Sequence, residues 1–411
     1  MRFTFKIIAA CAVLACAGGA FAQQGQTVKI AMIEGITGPL GNVGTNMQKS
    51  MQFLAANLNA KENPAGVKFE IVPMDSKSSP QEALNLLKSA TDQGIRYVTQ
   101  GNGSNVGIPL SDAVAKNNAR NPGKEVIYLN YAAVDPDLTN SKCNYWHFSF
   151  DGNTSMKMAA LTNFMKGEAN IHKVYLNNQN YSHGHQVAKY FKEGLERNRP
   201  DVQVVGEDYV ALGQVKDFAP YVAKIKAAGA DTLVTGSWGQ DFTLLVKALN
   251  DAGLNIPIYS YYAGVTGTPT ALGQGKYDKV YQIAYNHSNY SGRMGELMKA
   301  FKAQYNDDLF AFAMYNELVG LSHAMAKAKS TDPVKVAAAL SDIRFEGFNG
   351  ESQMRKSDHQ LQQGMWISHW QPVDAKNAYS VENTGYTFAP VQYLEPYIAS
   401  TPTTCQMKRP S

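Results

Sequence analysis

The sequence predicts an α/β protein built as two tandem Rossmann-like lobes, each a doubly wound, mostly parallel sheet with helices on both faces. Three observations predict it. Short apolar runs alternate with longer amphipathic ones from residue 28 onward, and this β-α-β-α order calls for a parallel sheet. The same rhythm restarts after about residue 150. The chain is also long enough for two cores, at roughly 150 residues per domain.

In the first half, residues 28–33 (VKIAMI) read as a strand. Residues 47–59 read as a helix, because Met47, Met51, Leu54, Ala55 and Leu58 fall on one face at helical spacing. A strand at 69–72 is followed by a helix over 80–93, whose start is marked by Ser79-Pro80. A strand at 97–99, a helix at 108–117 and a strand at 126–129 complete the half.

The second half repeats the pattern. Helices are expected at 156–165, 184–198, 218–228 and 240–252, and strands at 173–176, 202–206, 232–235 and 256–260. Extended segments near 148–151 and 282–286 are the expected joins between the lobes, with two further helices at 295–305 and 315–329.

Residues 1–22 do not belong to either lobe. Arg2 and Lys6 precede an apolar run over 7–17, too short to span a bilayer, and Ala20-Phe21-Ala22 supplies the small residues of a cleavage site. This is a secretory leader, and the mature protein is expected in the periplasm. A second reading takes Val13-Leu14-Ala15-Cys16 as a lipobox, with Cys16 carrying lipid. Cleavage after Ala22 leaves 389 of 411 residues and lowers the formal charge from +4 to +2, since Arg2 and Lys6 are the only charges removed. That near-neutral balance gives no case for nucleic acid or an anionic membrane as a partner. Beyond the leader no apolar run reaches the ~18 residues of a membrane span.

Two cysteines, Cys143 and Cys405, remain after cleavage. An even pair in an oxidising compartment reads as a disulfide tying the C-terminal tail to the body; two separate buried thiols are the alternative. Two cysteines without a histidine cluster do not make a metal site. His183 and His185 fall in a turn that opens a helix, without a third ligand in view. Gly101-x-Gly103 lacks the third glycine of a dinucleotide fingerprint, and the chain holds no Gly-x-x-x-x-Gly-Lys-Ser/Thr, Gly-x-Ser-x-Gly or His-Glu-x-x-His. No cofactor is implied and an enzyme is not expected.

The candidate binding feature is the loop of residues 100–107, Gln-Gly-Asn-Gly-Ser-Asn-Val-Gly, which follows the third strand. Open parallel sheets bind ligands at the carboxyl ends of their strands. Glycines admit an anion close to backbone N–H groups, the next helix adds partial positive charge, and Ser104 adds a hydroxyl. Chemistry alone leaves two readings, a carboxylate-holding loop or a plain turn of small residues.

Five collinear motifs add to this. Ile36-Thr37-Gly38-Pro39-Leu40 with Gly44 and Met47 resembles the N-terminal motif of the periplasmic leucine/isoleucine/valine-binding family. So do Gly103-Ser104 leading into Ile108-Pro109-Leu110-Ser111-Asp112, and Ala132-Ala133-Val134-Asp135-Pro136-Asp137-Leu138-Thr139. Asn180-Tyr181-Ser182-His183-Gly184 and Lys216-Asp217-Phe218 match two more of its motifs, and the similarity runs through nearly the whole mature chain. The resemblance implies a type I periplasmic binding fold with lobes joined by three crossing segments. The lobes are then expected at 23–149 plus 286–345 and at 150–285 plus 346–411.

It also implies roles. Ser104, beside Gly103, is expected to bind a ligand carboxylate through its hydroxyl and N–H, helped by the N–H of Val134, with the Ala132 carbonyl facing the same cleft. Tyr181, Trp238 and Tyr262 are expected to cover the ligand from the second lobe. Val134 stands where the family has an ammonium-binding threonine, and Ala263 where it has a glutamate; Val43 replaces a large aromatic. A buried ammonium without a partner costs several kcal/mol. With Tyr131, Trp238, Tyr261 and Tyr262 offering flat surfaces, a non-amino carboxylate, aromatic among the candidates, is slightly favoured. The alternative is an ordinary branched-chain amino acid, with Asp241 or another acid replacing the glutamate. The implied partner is the membrane permease of an ABC importer, served by a monomer; a soluble ligand sensor for a signalling receptor is the rival role.

Overall fold

The computed structural model describes residues 25–61 and 63–410, so the expected leader, Cys16 included, lies outside the described residues. The first sheet is formed by β1 (Thr27–Glu34), β2 (Lys68–Asp75), β3 (Tyr97–Gln100), β4 (Ile127–Asn130) and β5 (His147–Ser149). Helices α1 (Gly41–Lys61), α2 (Pro80–Asp92) and α3 (Ser104–Arg120) connect its first four strands. The order is β2-β1-β3-β4-β5 and every pair is parallel. Each residue of β3 and β4 is buried, as strands covered on both faces require.

After α4 (Thr154–Phe164) the second sheet begins with β6 (Lys173–Gln179) and α5 (Ser182–Asn198), then β7 (Gln203–Val210) and α6 (Ala219–Ala227). It continues through β8 (Thr232–Thr235), α7 (Gly239–Asp251), β9 (Ile258–Ser260), α8 (Thr268–Gln274) and β10 (Val280–Ala284). The order β7-β6-β8-β9-β10 repeats that of the first sheet. The chain then returns to the first lobe with α9 (Gly292–Tyr305), α10 (Ala313–Ala328) and α11 (Pro333–Leu340). A small antiparallel sheet of β11 (Arg344–Gly347), β12 (Gly350–Met354) and β13 (Leu361–Gln362) follows. Last, β14 (Met365–Pro372) and β15 (Tyr386–Leu394) extend the second sheet antiparallel from β10, before α12 (Pro396–Ala399).

The core of the first lobe gathers β1, β4, α1, α9 and α10, with Phe53 edge-on to Phe301 at 5.3 Å. Phe345, Phe348, Met354 and Leu361 join this cluster. Residues 346–362, read from the sequence with the second lobe, therefore pack with the first, and the chain regains the second sheet at Met365. Two helices start at least a full turn earlier than the apolar periodicity indicates. Helix α1 opens at Gly41 with a small, polar first turn; a Cβ on Gly44 would lie 2.0 Å from the Gly35 carbonyl oxygen, so that turn is packed against the loop after β1. Helix α3 opens at Ser104, with Pro109 inside it and Gly103 at φ 87° before it. The sequence reading puts its start at 108, and the true start lies one turn earlier.

Cys143, between β4 and β5, is bonded to Cys405 in the tail, 262 residues on. Around the bond the Thr403 hydroxyl donates to the Thr139 carbonyl at 2.8 Å and Thr404 N–H to Asn140 Oδ1 at 3.0 Å. Closing so long a loop constrains the unfolded chain strongly. A Cys143→Ser/Cys405→Ser protein is expected to lose about 4–5 kcal/mol in urea unfolding; a loss below about 1 kcal/mol would count against an entropic role for the bond.

Glu317 of α10 is wholly buried and neither carboxyl oxygen has a partner in hydrogen-bonding geometry. Burial, opposed by the nearby Thr99 hydroxyl and aided by the Glu34 carboxylate, pushes its pKa up to about 8. The folded state thus holds a proton that the unfolded state releases above pH 4.5, so stability falls as pH rises from 4.5 to 8 and is flat beyond. Glu317→Gln removes the titration. Its gain over the parent protein should grow with pH between 5 and 8, by up to about 1.4 kcal/mol per unit, read by denaturant melts at several pH values. A pH-independent difference would contradict this.

Candidate functional site

In a 2-1-3-4-5 sheet the connections leave to opposite faces between the first and third strands, opening a crevice at their carboxyl ends. Here both lobes have one, between β1 and β3 and between β6 and β8. The two crevices face each other. Between them lies a narrow cavity, with about 30 Å³ open to the centres of water molecules. The lobes meet around it: Asn42 Nδ2 donates to the Thr266 carbonyl at 3.2 Å, and the Ser182 hydroxyl donates to the Asp135 carboxylate.

All seven residues expected at the binding site, Gly103, Ser104, Ala132, Val134, Tyr181, Trp238 and Tyr262, line this cavity, and Val43 with them. The first lobe contributes a wall of donors. Ser104 Oγ accepts from Asp135 N–H at 3.1 Å, which leaves its own hydrogen to donate. Its backbone N–H opens α3, where no intrahelical acceptor exists. Val134 N–H has no partner among the described residues, while its carbonyl is taken by Thr154. The second lobe contributes aromatic cover. Tyr181 and Trp238 sit at the N-caps of α5 and α7, just beyond β6 and β8, and Trp238 Nε1–H donates to the Tyr181 hydroxyl at 2.9 Å.

The glycine loop does bind a carboxylate, but the chain's own. Gly101 and Asn102 N–H donate to Glu34 Oε1 at 2.7 and 3.0 Å, Gly35 N–H donates to Oε2 at 3.2 Å, and the Tyr131 hydroxyl donates to Oε1. Burial raises the Glu34 pKa, and these four donors oppose that shift. Glycine is needed at 101, because a Cβ there would lie 2.3 Å from the Tyr131 ring. The N–H groups of 101 and 102 are therefore committed, and Ser104, Val134 and the start of α3 carry the free donors. Glu34 escaped the sequence reading; its one signal was an acid ending an apolar strand.

Other expectations are corrected by the packing. Tyr131 and Tyr261 are fully buried and do not line the cavity; Tyr261 donates to the Thr154 carbonyl at 3.0 Å. Ala263 lies in the core of the second lobe. Asp241 does not replace a ligand-binding glutamate, because its carboxylate accepts from Gln179 Nε2 at 2.7 Å and Gly213 N–H at 2.9 Å, off the cavity. His183 and His185 diverge: His185 pairs with Asn180 on the surface, while His183 lines the cavity, held by Thr154 Oγ1 at 3.0 Å and the Gly236 carbonyl at 3.1 Å. Burial lowers the His183 pKa to about 4, so the ring is neutral. Among the described residues no group of three or more His, Cys, Asp or Glu is placed to hold a metal. Met47, Val265, Tyr285, Phe310 and Ala311 complete the apolar lining; Met47 belongs to the N-terminal motif, and no local pattern marks the others.

Two similar α/β lobes closing on one cavity at paired switch points define a two-lobed binding protein. Comparison with known proteins makes this specific. A family model described as periplasmic binding protein matches residues 27–377, and the chain belongs to that family, one of substrate-binding transport proteins. It is 30% identical to Leu/Ile/Val-binding protein homolog 4 of Brucella abortus, over 98% of this chain and 97% of that one. The leucine-, isoleucine-, valine-, threonine- and alanine-binding protein of Brucella ovis, solved in a closed conformation, is similar with a TM-score of 0.83 and 26% identity, covering 94% of this chain and 100% of that one. A solute-binding protein of an ABC transporter from R. palustris, solved with 4-hydroxybenzoate, shares the fold at a TM-score of 0.76 and 17% identity, covering 90% and 97% of the two chains.

The Glu34 network yields a test. Glutamine at 34 offers one acceptor and one donor where two acceptors are needed, stranding a loop N–H at about 1–3 kcal/mol. Glu34→Gln is expected to unfold at lower urea concentration and to exchange the Gly101 and Asn102 amides at least about tenfold faster. Unchanged protection at those amides would show that the loop is held by something else.

Proposed function

We propose that this protein is the periplasmic substrate-binding component of an ABC importer, trapping a small carboxylate solute between its lobes and presenting the closed form to a membrane permease. The observation that carries the ligand class is the cavity lining. Donors from Ser104, Val134 and the start of α3 stand on one wall, aromatic rings on the others, and no Asp, Glu, Lys or Arg is among the described lining residues. Carboxylates are acceptors only and match such a wall. An α-ammonium would be buried without an ion partner, at several kcal/mol. A non-amino carboxylate, and an aromatic acid in particular, is the ligand these groups suit best; the R. palustris neighbour, solved with 4-hydroxybenzoate, supports that reading.

A second reading, a branched-chain amino acid, is favoured by the names of the Brucella relatives and by the Ala132 carbonyl, which lines the cavity and accepts no hydrogen bond among the described residues. For the moving parts we take a first lobe of residues 25–149 plus 286–362 and a second of 150–285 plus 363–410. Ligand then acts by population shift toward the closed form.

Calorimetry with leucine, phenylalanine, 4-methylpentanoate, benzoate, 4-hydroxybenzoate and cinnamate separates the readings. The acids are expected to bind and leucine not to; micromolar leucine with silent acids reverses the assignment. Ser104→Ala should weaken the best acid about 10–100-fold, the value of a hydrogen bond to a charged group, and should also cost about 1–3 kcal/mol of stability by stranding the Asp135 N–H.

A further inference from the structure

Behind the aromatic wall lies a charge that the binding reading does not use. Lys157 of α4 is buried to 1% side-chain exposure, paired at 2.7 Å with Asp151, itself 1% exposed. Asp151 sits in the first crossing, where its carbonyl accepts from Gln360 Nε2 at 2.7 Å and its Oδ1 has no partner. The Lys157 ammonium packs against three rings, 4.9 Å from the centroid of Tyr262, 5.4 Å from Tyr261 and 5.7 Å from Tyr285. Tyr262 and Tyr285 line the cavity, and Lys157 does not.

We propose that Lys157 is a specificity-determining residue of this site, a cation set one ring behind the wall that makes the cavity favour an anionic ligand over a neutral or cationic one. The inference rests on the carboxylate reading above. A cation on one face of a ring draws its negative quadrupole toward itself, leaving the cavity face of Tyr262 and Tyr285 poorer in negative charge. In a low-dielectric interior that bias is weakly screened. The pair as a whole is neutral but oriented: its ammonium rests on the rings and its carboxylate belongs to the crossing segment. A cation exposed in the cavity would grip a carboxylate and slow its release; one ring removed, it contributes field without a contact.

The test compares benzoate with its neutral isostere benzamide by calorimetry. Wild-type protein is expected to prefer benzoate. Lys157→Met/Asp151→Asn removes both charges together, the change that buried pairs tolerate best; it should lower the benzoate-to-benzamide preference about tenfold and move the benzamide Kd less than about threefold. Lys157→Gln/Asp151→Asn, which removes both charges while keeping polar contact between the two side chains, should show the same fall and supplies a second readout if the first double variant does not fold. A purely structural pair would weaken both ligands equally, and an unchanged preference in either folded variant overturns the proposal. Wild-type protein that binds none of the four acids named above, or binds leucine in their place, removes the carboxylate reading and this inference with it; if another of the acids binds where benzoate does not, that acid and its amide replace the two probes.

Discussion

Strand order is the constraint on which the rest of the molecule depends. In each sheet the chain winds first to one side and then to the other, so one crevice opens at the carboxyl ends of β1 and β3 and another at those of β6 and β8. Most side chains on the cavity arrive from a loop that leaves such a strand end or from a helix that packs beside it, Phe310 and Ala311 coming instead from the turn between α9 and α10. Ser104 follows β3, Val134 follows β4, Tyr181 and Trp238 follow β6 and β8, and Tyr262 follows β9. Because the second sheet repeats the order of the first, the crevices are equivalent, and two lobes facing each other enclose a shared space.

That space is apolar in front and polar behind. Glu34 fixes the glycine loop through three N–H groups and a phenol, so the loop is rigid before any ligand arrives. Glu317 and the Lys157–Asp151 pair lie deeper, fully desolvated. Such groups are costly to bury, and they concentrate here, under the switch point and at the crossings. Ligand-facing groups are neutral while the charges stand one layer back, which fits a site that must hold a solute firmly and still release it.

Much of this was legible in the sequence because it is local. Apolar runs mark β1 to β4 and β6 to β9, since a strand or helix writes its own period into consecutive residues. Gly103, Ser104, Ala132, Val134 and Tyr181 lie in short motifs that keep their spacing wherever the lobes go, and with Trp238 and Tyr262 they line one cavity. The misses are non-local. Strands β14 and β15 exist because β10 offers an edge, and the small sheet packs with the first lobe through Phe348, Met354 and Leu361. Tyr131 looked like a ligand surface and serves Glu34 instead, 97 residues away in sequence.

The sequence by itself determined the alternation of strands and helices, the doubling of the lobe, the two cysteines left to pair and the motif positions at the strand ends. Periodicity and turn chemistry depend on near neighbours, so one dimension is enough to read them. Only the tertiary structure decided which donors remain free, since Glu34 takes the N–H groups of Gly101 and Asn102 and leaves those of Ser104 and Val134. It alone placed Lys157 behind Tyr262, and removed Ala263 and Asp241 from the ligand's reach. Hydrogen-bond acceptors and buried charges are satisfied by whatever the fold brings near, and nearness in space is not written in the spacing along the chain.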